Sequence, residues 1–495
     1  MGTHLKLYRL VCILVMTGFF SCNPAMDILP VTESLDFSII DGDTIRTEVK
    51  GEFNEVIDSK RNSFVVIYNS DSIITYKEPV LNKIPSKRPD IANLKNRKLV
   101  AGPVKMISLG QSLSAGVRDG GYFNEGILTS FPNLLARQMA IENFSLPLFS
   151  PQEYNGIGRG IITGENPSGG PLPKFVKSKN NLAAKSYDEI SGRYPDMKKL
   201  DREIDHLAIA GDMSRVGWET SPSFDPGNNL FSRFFPDESG SNKEGIIGLV
   251  KAKKFDFFIL EVGNQEIIQL ILGFGNPMTS LTNVSLSDDL RLIDKQYSVP
   301  EIKLVRDALY PSGANGVLLN LPNWLEVPYF VEPALIEKVL LKGGISKQET
   351  GFLLEEYLFK SSSGVDSLLS PQVAFPLKPS FDKNQTHQLG NNDVLTTSYS
   401  VPWISETIKK YNDLIRAMSN KFGYPVVDMN GLYSRVINGG FVDESGLGIT
   451  SDNFFSEDKF YPSPLGNAVI ANEIIKTINK FYGTNISLIN TRAFQ

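Results

Sequence analysis

One serine stands where a nucleophile would. The apolar run of Val104, Met106, Ile107 and Leu109 ends in Gly110-Gln111-Ser112-Leu113, a glycine-rich turn follows, and the pattern predicts a helix starting near Ser130 with Pro132 in its first turn. A hydroxyl leaving the carboxyl end of a strand in an open parallel sheet faces the crevice where ligands collect. To react as a nucleophile it needs an adjacent base. The chain has three histidines, of which His4 falls in the leader, His206 opens a strand and His387 lies in a polar stretch; the last two read as ordinary strand-end and surface residues. No cysteine or carboxylate cluster has metal-ligand spacing, so neither a metal nor another cofactor is expected.

The elements that must position Ser112 follow from hydrophobic periodicity. From residue 98 onward strands and helices alternate, with strands expected at 104–109, 207–210, 255–262, 316–321 and 425–429. The run Phe257-Phe258-Ile259-Leu260 is continuously apolar, as in a strand buried on both faces. Apolar residues at spacings of three and four predict a helix over 403–422, with Gly423 as its stop. A last helix over 464–482 has Ser463 as N-cap, Pro464 in its first turn and Gly483 past its end. Five strands with intervening helices imply an α/β, three-layer, flavodoxin-like fold around a five-stranded parallel sheet. Two segments, 141–203 and 325–400, are too long for simple connections and read as insertions built over the cleft.

The N-terminal part is different. Residues 1–9 form a basic region and 10–20 an apolar stretch too short to span a bilayer, which together read as a signal peptide. Gly18-Phe19-Phe20-Ser21-Cys22 resembles a bacterial lipobox, implying cleavage before Cys22 and acylation there; several acyl chains exceed the marginal membrane binding of one. The two cysteines are Cys12, within the removed segment, and Cys22, so the mature chain forms no internal disulfide. Residues 23–97 hold short β-branched and aromatic runs at 37–40, 44–49, 63–68 and 73–76, a small β-rich region or tether. The main domain then covers 98–485, with a tail at 486–495. A net charge of −5 gives no basic footprint for nucleic acid, and 41% hydrophobic residues are ordinary for a globular chain.

Taken together, Gly110-Gln111-Ser112-Leu113, Ser114-Ala115-Gly116 and Ser130-Phe131-Pro132-Asn133-Leu134-Leu135-Ala136 resemble the first block of the SGNH/GDSL hydrolases, more narrowly the lipoprotein branch of Bacteroidota, with Gln111 in place of the usual aspartate. The resemblance implies four further positions. Gly211, in Ala210-Gly211-Asp212, matches the glycine whose N–H helps hold the oxyanion. In Gly263-Asn264-Gln265-Glu266 the oxyanion asparagine is replaced by Gln265, whose extra methylene displaces a donor that must lie about 2.7–3.1 Å from the developing charge. In Asp458-Lys459-Phe460-Tyr461-Pro462-Ser463 the aspartate is kept as Asp458 and the catalytic histidine is Tyr461. A tyrosine, with an ordinary pKa of about 10, is ionised to roughly one part in a thousand at neutral pH and cannot serve as general base. Without its imidazole, Asp458 is expected to be a solvated or helix-capping carboxylate.

Loss of the base alone removes most of the acceleration in a triad. The chain therefore reads as a degenerate, non-catalytic SGNH domain on an outer-membrane lipoprotein anchored through Cys22 at the cell surface. Its expected role is that of an accessory subunit of an outer-membrane β-barrel complex for transport, export or barrel assembly, with a retained cleft that could take a glycan or lipid. The alternative is a slow serine esterase or acylhydrolase using Ser112.

Overall fold

The computed structural model describes residues 37–40, 43–50, 53–58 and 63–66 near the N-terminus, then 78–96, 98–99, 102–162, 175–177, 181–183, 197–210, 229–235, 245–261, 263–272, 300–329, 367–369, 394–396 and 400–495. Two compact units are formed, Met1–Ile67 and Tyr68–Gln495. Cys22 and the expected strand at 73–76 lie outside the described residues. Among the described residues no helix is long and apolar enough to cross a membrane.

The first unit is an antiparallel four-stranded meander of Phe37–Ile40, Asp43–Lys50, Phe53–Asp58 and Ser63–Val66, paired in sequence order. The strand Phe53–Asp58 was not expected. Its Asn54, Glu55 and Asp58 are residue types depleted in strands, and they hide it from a propensity reading.

The second unit is an α/β structure around a parallel sheet. Its strands are β1 (Met106–Gly110), β2 (His206–Ala208), β3 (Phe257–Glu261), β4 (Asn315–Leu319) and β5 (Val426–Val427), in the spatial order β5-β4-β3-β1-β2. All four pairings are parallel. β1, β2 and β3 are buried along their whole length, as a sheet covered on both faces requires. The order reverses between β1 and β3, and the carboxyl ends at this switch point hold Ser112 and Glu261.

The helices used below are α1 (Ser112–Ala115), α2 (Phe131–Gln138), α3 (Gly245–Ala252), α4 (Asn264–Leu272), α5 (Ser400–Phe422), α6 (Met429–Ile437) and α7 (Pro464–Tyr482). α2 packs on α7, and α5 packs on α4 and β4. Right-handed crossovers between parallel strands put α2 and α7 on one face and α3 and α5 on the other. The bounds of α7 match the expected ones because its end signals are strong. Ser463 Oγ accepts the Gly466 N–H at 3.0 Å, Pro464 leads the first turn, and Gly483 closes the helix with φ +67°.

Residues 78–96, expected in the N-terminal region, instead belong to the second unit. Lys95 donates to Asp256 at 2.9 Å, Asn96 N–H to the same carboxylate at 3.0 Å, and Asn93 to the Tyr482 carbonyl at 2.9 Å. These polar contacts at strand and helix ends leave no trace in hydrophobic periodicity.

Beyond Ser112 the chain crosses itself closely. Gly116 has φ +87°, and a Cβ there would meet the Gly126 carbonyl oxygen at 2.3 Å, whereas Gly423, with φ +76°, has open space around it. Gly116→Ala is expected to lower stability by about 2–4 kcal/mol through both crowding and backbone strain. Gly423→Ala, which carries the strain alone, should lower it by about 1 kcal/mol. Urea denaturation of the two variants beside the parent measures the difference.

Candidate functional site

The Ser112 turn is built from beneath. Gly110 ends β1 without a side chain because a Cβ there would lie 2.6 Å from both the Glu261 carboxylate and the Ser114 hydroxyl. Glu261, the last residue of β3, is fully buried. Its Oε2 accepts the N–H groups of Gln111 at 2.8 Å and Ser114 at 3.2 Å, and its Oε1 accepts from Asn264 Nδ2 at 2.8 Å. Asn264 Oδ1 in turn accepts from Trp324 Nε1 at 2.7 Å, and the Gln111 amide donates to Glu266 at 2.9 Å. Burial pushes the Glu261 carboxyl above the usual range, and these hydrogen bonds oppose the shift. The turn is thus fixed to the β3–α4 junction by a carboxylate that water does not reach.

A second wall comes from the loop before α7. The half-buried Asp458 organises it: Oδ1 accepts from Ser456 Oγ at 2.7 Å and from the N–H groups of Phe460 and Tyr461 at 2.9 Å each. Oδ2 accepts the Gly120 N–H at 3.2 Å, across from the segment that follows Ser112. Asp119 reciprocates by accepting the Glu457 N–H at 3.1 Å, while Arg118 pairs with it at 3.2 Å. Asp458 is therefore neither a freely solvated carboxylate nor a helix cap, as expected above, but the clasp between two loops. Burial, then the charge of Asp119, push its carboxyl up to about 6, against the pull of its hydrogen bonds.

The clasp presents Tyr461 to Ser112, and the two hydroxyls are hydrogen-bonded. Burial raises the phenol above its usual range, the hydrogen bond from Ser112 opposes this, and the nearby Asp458 and Glu261 carboxylates add to the rise. The ring belongs to an aromatic cluster. Trp324 stacks on Phe460 with centroids 4.9 Å apart and planes at 9°, and Tyr461 meets both edge-on at 6.1 and 5.1 Å. Tyr433, fully buried, closes the cluster 5.7 Å from Trp324.

Of the expected positions, Ser112, Asp458 and Tyr461 are brought together. Gly211 lies outside the described residues, as does His387. Gln265 is the second residue of α4, and its side chain is outside the described residues. The amide of Asn264 is committed to Glu261 and Trp324. His206 is a core residue: it is buried, its Nδ1 is hydrogen-bonded to Ser108 Oγ on the neighbouring strand, and burial pushes it down to about 3, so it stays neutral. Among the described residues no group of three His, Cys, Asp or Glu is arranged to hold a metal ion. A cleft of about 760 Å³ exists between Arg88, Lys105 and Lys254, at the opposite end of the sheet from Ser112.

Sequence reasoning missed Glu261, Asn264 and Trp324. The available signal was a carboxylate closing a strand whose other residues are all apolar, since a charge buried on both sides must have partners. No protein-family model matches the chain, and no curated protein matches it. Among solved structures it is similar to the crystal structure of LAE5, an alpha/beta hydrolase enzyme from the metagenome of Lake Arreo, Spain, at 13% identity and a TM-score of 0.30, over 80% of this chain and 98% of that one. A likeness of that size carries no argument about the site.

Two expectations test this geometry. Glu261→Leu leaves at least two backbone N–H groups buried without an acceptor and should cost about 3–5 kcal/mol, at about 1–3 kcal/mol for each orphaned group. Denaturant unfolding reads it. Asp458 is raised in the folded chain, so the native state binds a proton between about pH 4 and 6 that the unfolded chain does not. Its contribution to stability is complete below about pH 4 and is lost as the pH rises through 6. Asp458→Asn should flatten the dependence of stability on pH across this window.

Proposed function

We propose that this chain is a degenerate SGNH-type domain that has lost hydrolase chemistry and serves a membrane-anchored binding or accessory role. The observation that carries the reading is the hydrogen bond between Ser112 and Tyr461. A working nucleophile of this kind hands its proton to a base with a pKa near the working pH. Here the hydroxyl meets a phenol whose pKa burial raises further, so at neutral pH the pair holds its protons.

Three features support the family assignment. The strand order β2-β1-β3-β4-β5 supports a flavodoxin-like arrangement, with Ser112 two residues past β1 at the switch point. Asp458 and Tyr461 stand on the loop entering the last helix, three residues apart, as the SGNH pattern requires. The loop also reaches across to the segment following Ser112, as a triad loop would.

The anchor rests on the leader and Cys22, which support an outer-membrane lipoprotein. A large domain held at a membrane without chemistry of its own is suited to an outer-membrane β-barrel partner in transport, export or assembly.

A fluorophosphonate probe tests the reading. The parent chain is expected to label no faster than Ser112→Ala across pH 6–9. Tyr461→His, which restores an imidazole three residues from Asp458, is expected to raise Ser112-dependent labelling on the order of 100-fold, the usual contribution of a general base. Labelling of the parent at the rate of a working serine hydrolase would instead establish the esterase alternative.

A further inference from the structure

The end of the sheet opposite Ser112 carries an exposed aromatic surface. Tyr310 and Phe481 are 53% and 54% exposed. The Tyr310 ring lies 5.2 Å from that of Phe422, and Phe481 lies 4.9 Å from Tyr482. The Tyr482 hydroxyl binds both the N–H and the carbonyl of Gly316 at the start of β4, which fixes the end of α7 to this end of the sheet. Three ends are thereby gathered at one place: the turn before β4, the C-terminus of α5 and the C-terminus of α7.

Lysines border these rings. Lys98 donates to the Pro311 carbonyl at 3.0 Å, Lys421 lies 5.9 Å from the Phe422 ring centre, and Lys480 is exposed in the last turn of α7. Several carboxylates at the same end have basic partners: Asp256 with Lys95, Glu142 with Arg88, and Glu203 and Asp205 with Lys253. Asp90 also lies here, its N–H held by Asn485. In a chain of net charge −5, three lysines stand around these exposed aromatics.

The chain also arrives from its N-terminal side at this end. Asn82 binds Gln138, the last residue of α2, at 3.0 Å, and residues 90–96 cross beneath the strands, with Asn93 on the Tyr482 carbonyl. What precedes them in sequence runs back to the apolar leader and Cys22.

We infer that the surface formed by Tyr310, Phe422 and Phe481 with Lys98, Lys421 and Lys480 rests on the headgroup region of an anionic lipid bilayer. Aromatic side chains with one wet edge settle at the membrane interface, and lysines nearby are drawn to anionic headgroups. The inference rests on the anchored reading above, because a surface of two or three rings binds a membrane weakly by itself and more tightly when the chain is also tethered to the same bilayer. It also sets an orientation, with the Ser112 end turned away from the lipid.

Hydroxyl-radical footprinting of the full chain on vesicles tests this. On vesicles of phosphatidylethanolamine and phosphatidylglycerol, Tyr310 and Phe481 are expected to oxidise several-fold more slowly than on neutral phosphatidylcholine vesicles. Val442, 72% exposed elsewhere on the domain, should not change. High salt should reverse the protection, and Lys421→Ser and Lys480→Ser should each weaken binding to anionic vesicles by about fivefold.

A vesicle-bound chain whose Tyr310 and Phe481 oxidise equally on both lipids overturns the surface and leaves the anchor standing. An unmodified Cys22, read by mass spectrometry, in a chain that still shows the protection overturns the anchor and supports the surface. A chain that stays in solution with both vesicles overturns the two together. Protection in native membranes but not on pure lipid assigns the surface to a protein and overturns the lipid reading.

Discussion

A carboxylate removed from water at the end of the central strand governs this fold. Glu261 occupies a position where an isolated charge would be prohibitively costly, and it persists because backbone and amide donors converge on it. Each donor belongs to a different piece of the site: the turn after β1, the first turn of α1 and the head of α4. Gly110 must lack a side chain to leave room for it, and Asn264 must be an amide to accept from Trp324 while donating to Glu261. The geometry around Ser112 is therefore over-determined from below, whether or not the serine reacts.

Above that base a second loop is organised by a single carboxylate. Asp458 holds the backbone of its own loop and reaches Gly120; Asp119 reaches back to Glu457. In a working triad the carboxylate orients an imidazole. Here it orients a loop, and the Tyr461 ring packs with Trp324 and Phe460 as an aromatic side chain would in any core. Tyr461 is thus a packing element with a polar tip.

Much of this was legible in the sequence, and what was not has identifiable physical causes. The apolar runs at β1, β3 and β4 and the end signals of α7 located the sheet and last helix, because burial and capping act locally and leave a period or a dipeptide behind. β5 shrank to Val426–Val427 since Pro425 and Asp428 bracket it. Ser112, Asp458 and Tyr461 were reached through a resemblance to known blocks, and their meeting is a tertiary fact. Glu261 was passed over because an apolar count rewards its four neighbours and is blind to one charge. The packing of residues 78–96 against the sheet end depends on single side-chain bonds such as Lys95 to Asp256, which no periodicity records.

The two loops that the Asp458 clasp joins are separated by almost the whole length of the domain. Gly120 meets Asp458 across 338 positions, Phe131 donates to Asn467 across 336, and Gln138 donates to Ser487 across 349. Contacts of such sequence separation return nothing until a very long loop has been closed, which places them late in folding. The loop that carries Tyr461 is therefore not in place while the chain is being synthesised N-terminus first. Until the final helix has docked on α2, the buried faces of Ser112, Phe131 and their neighbours remain open, so an unfinished chain presents its future core to whatever escorts it.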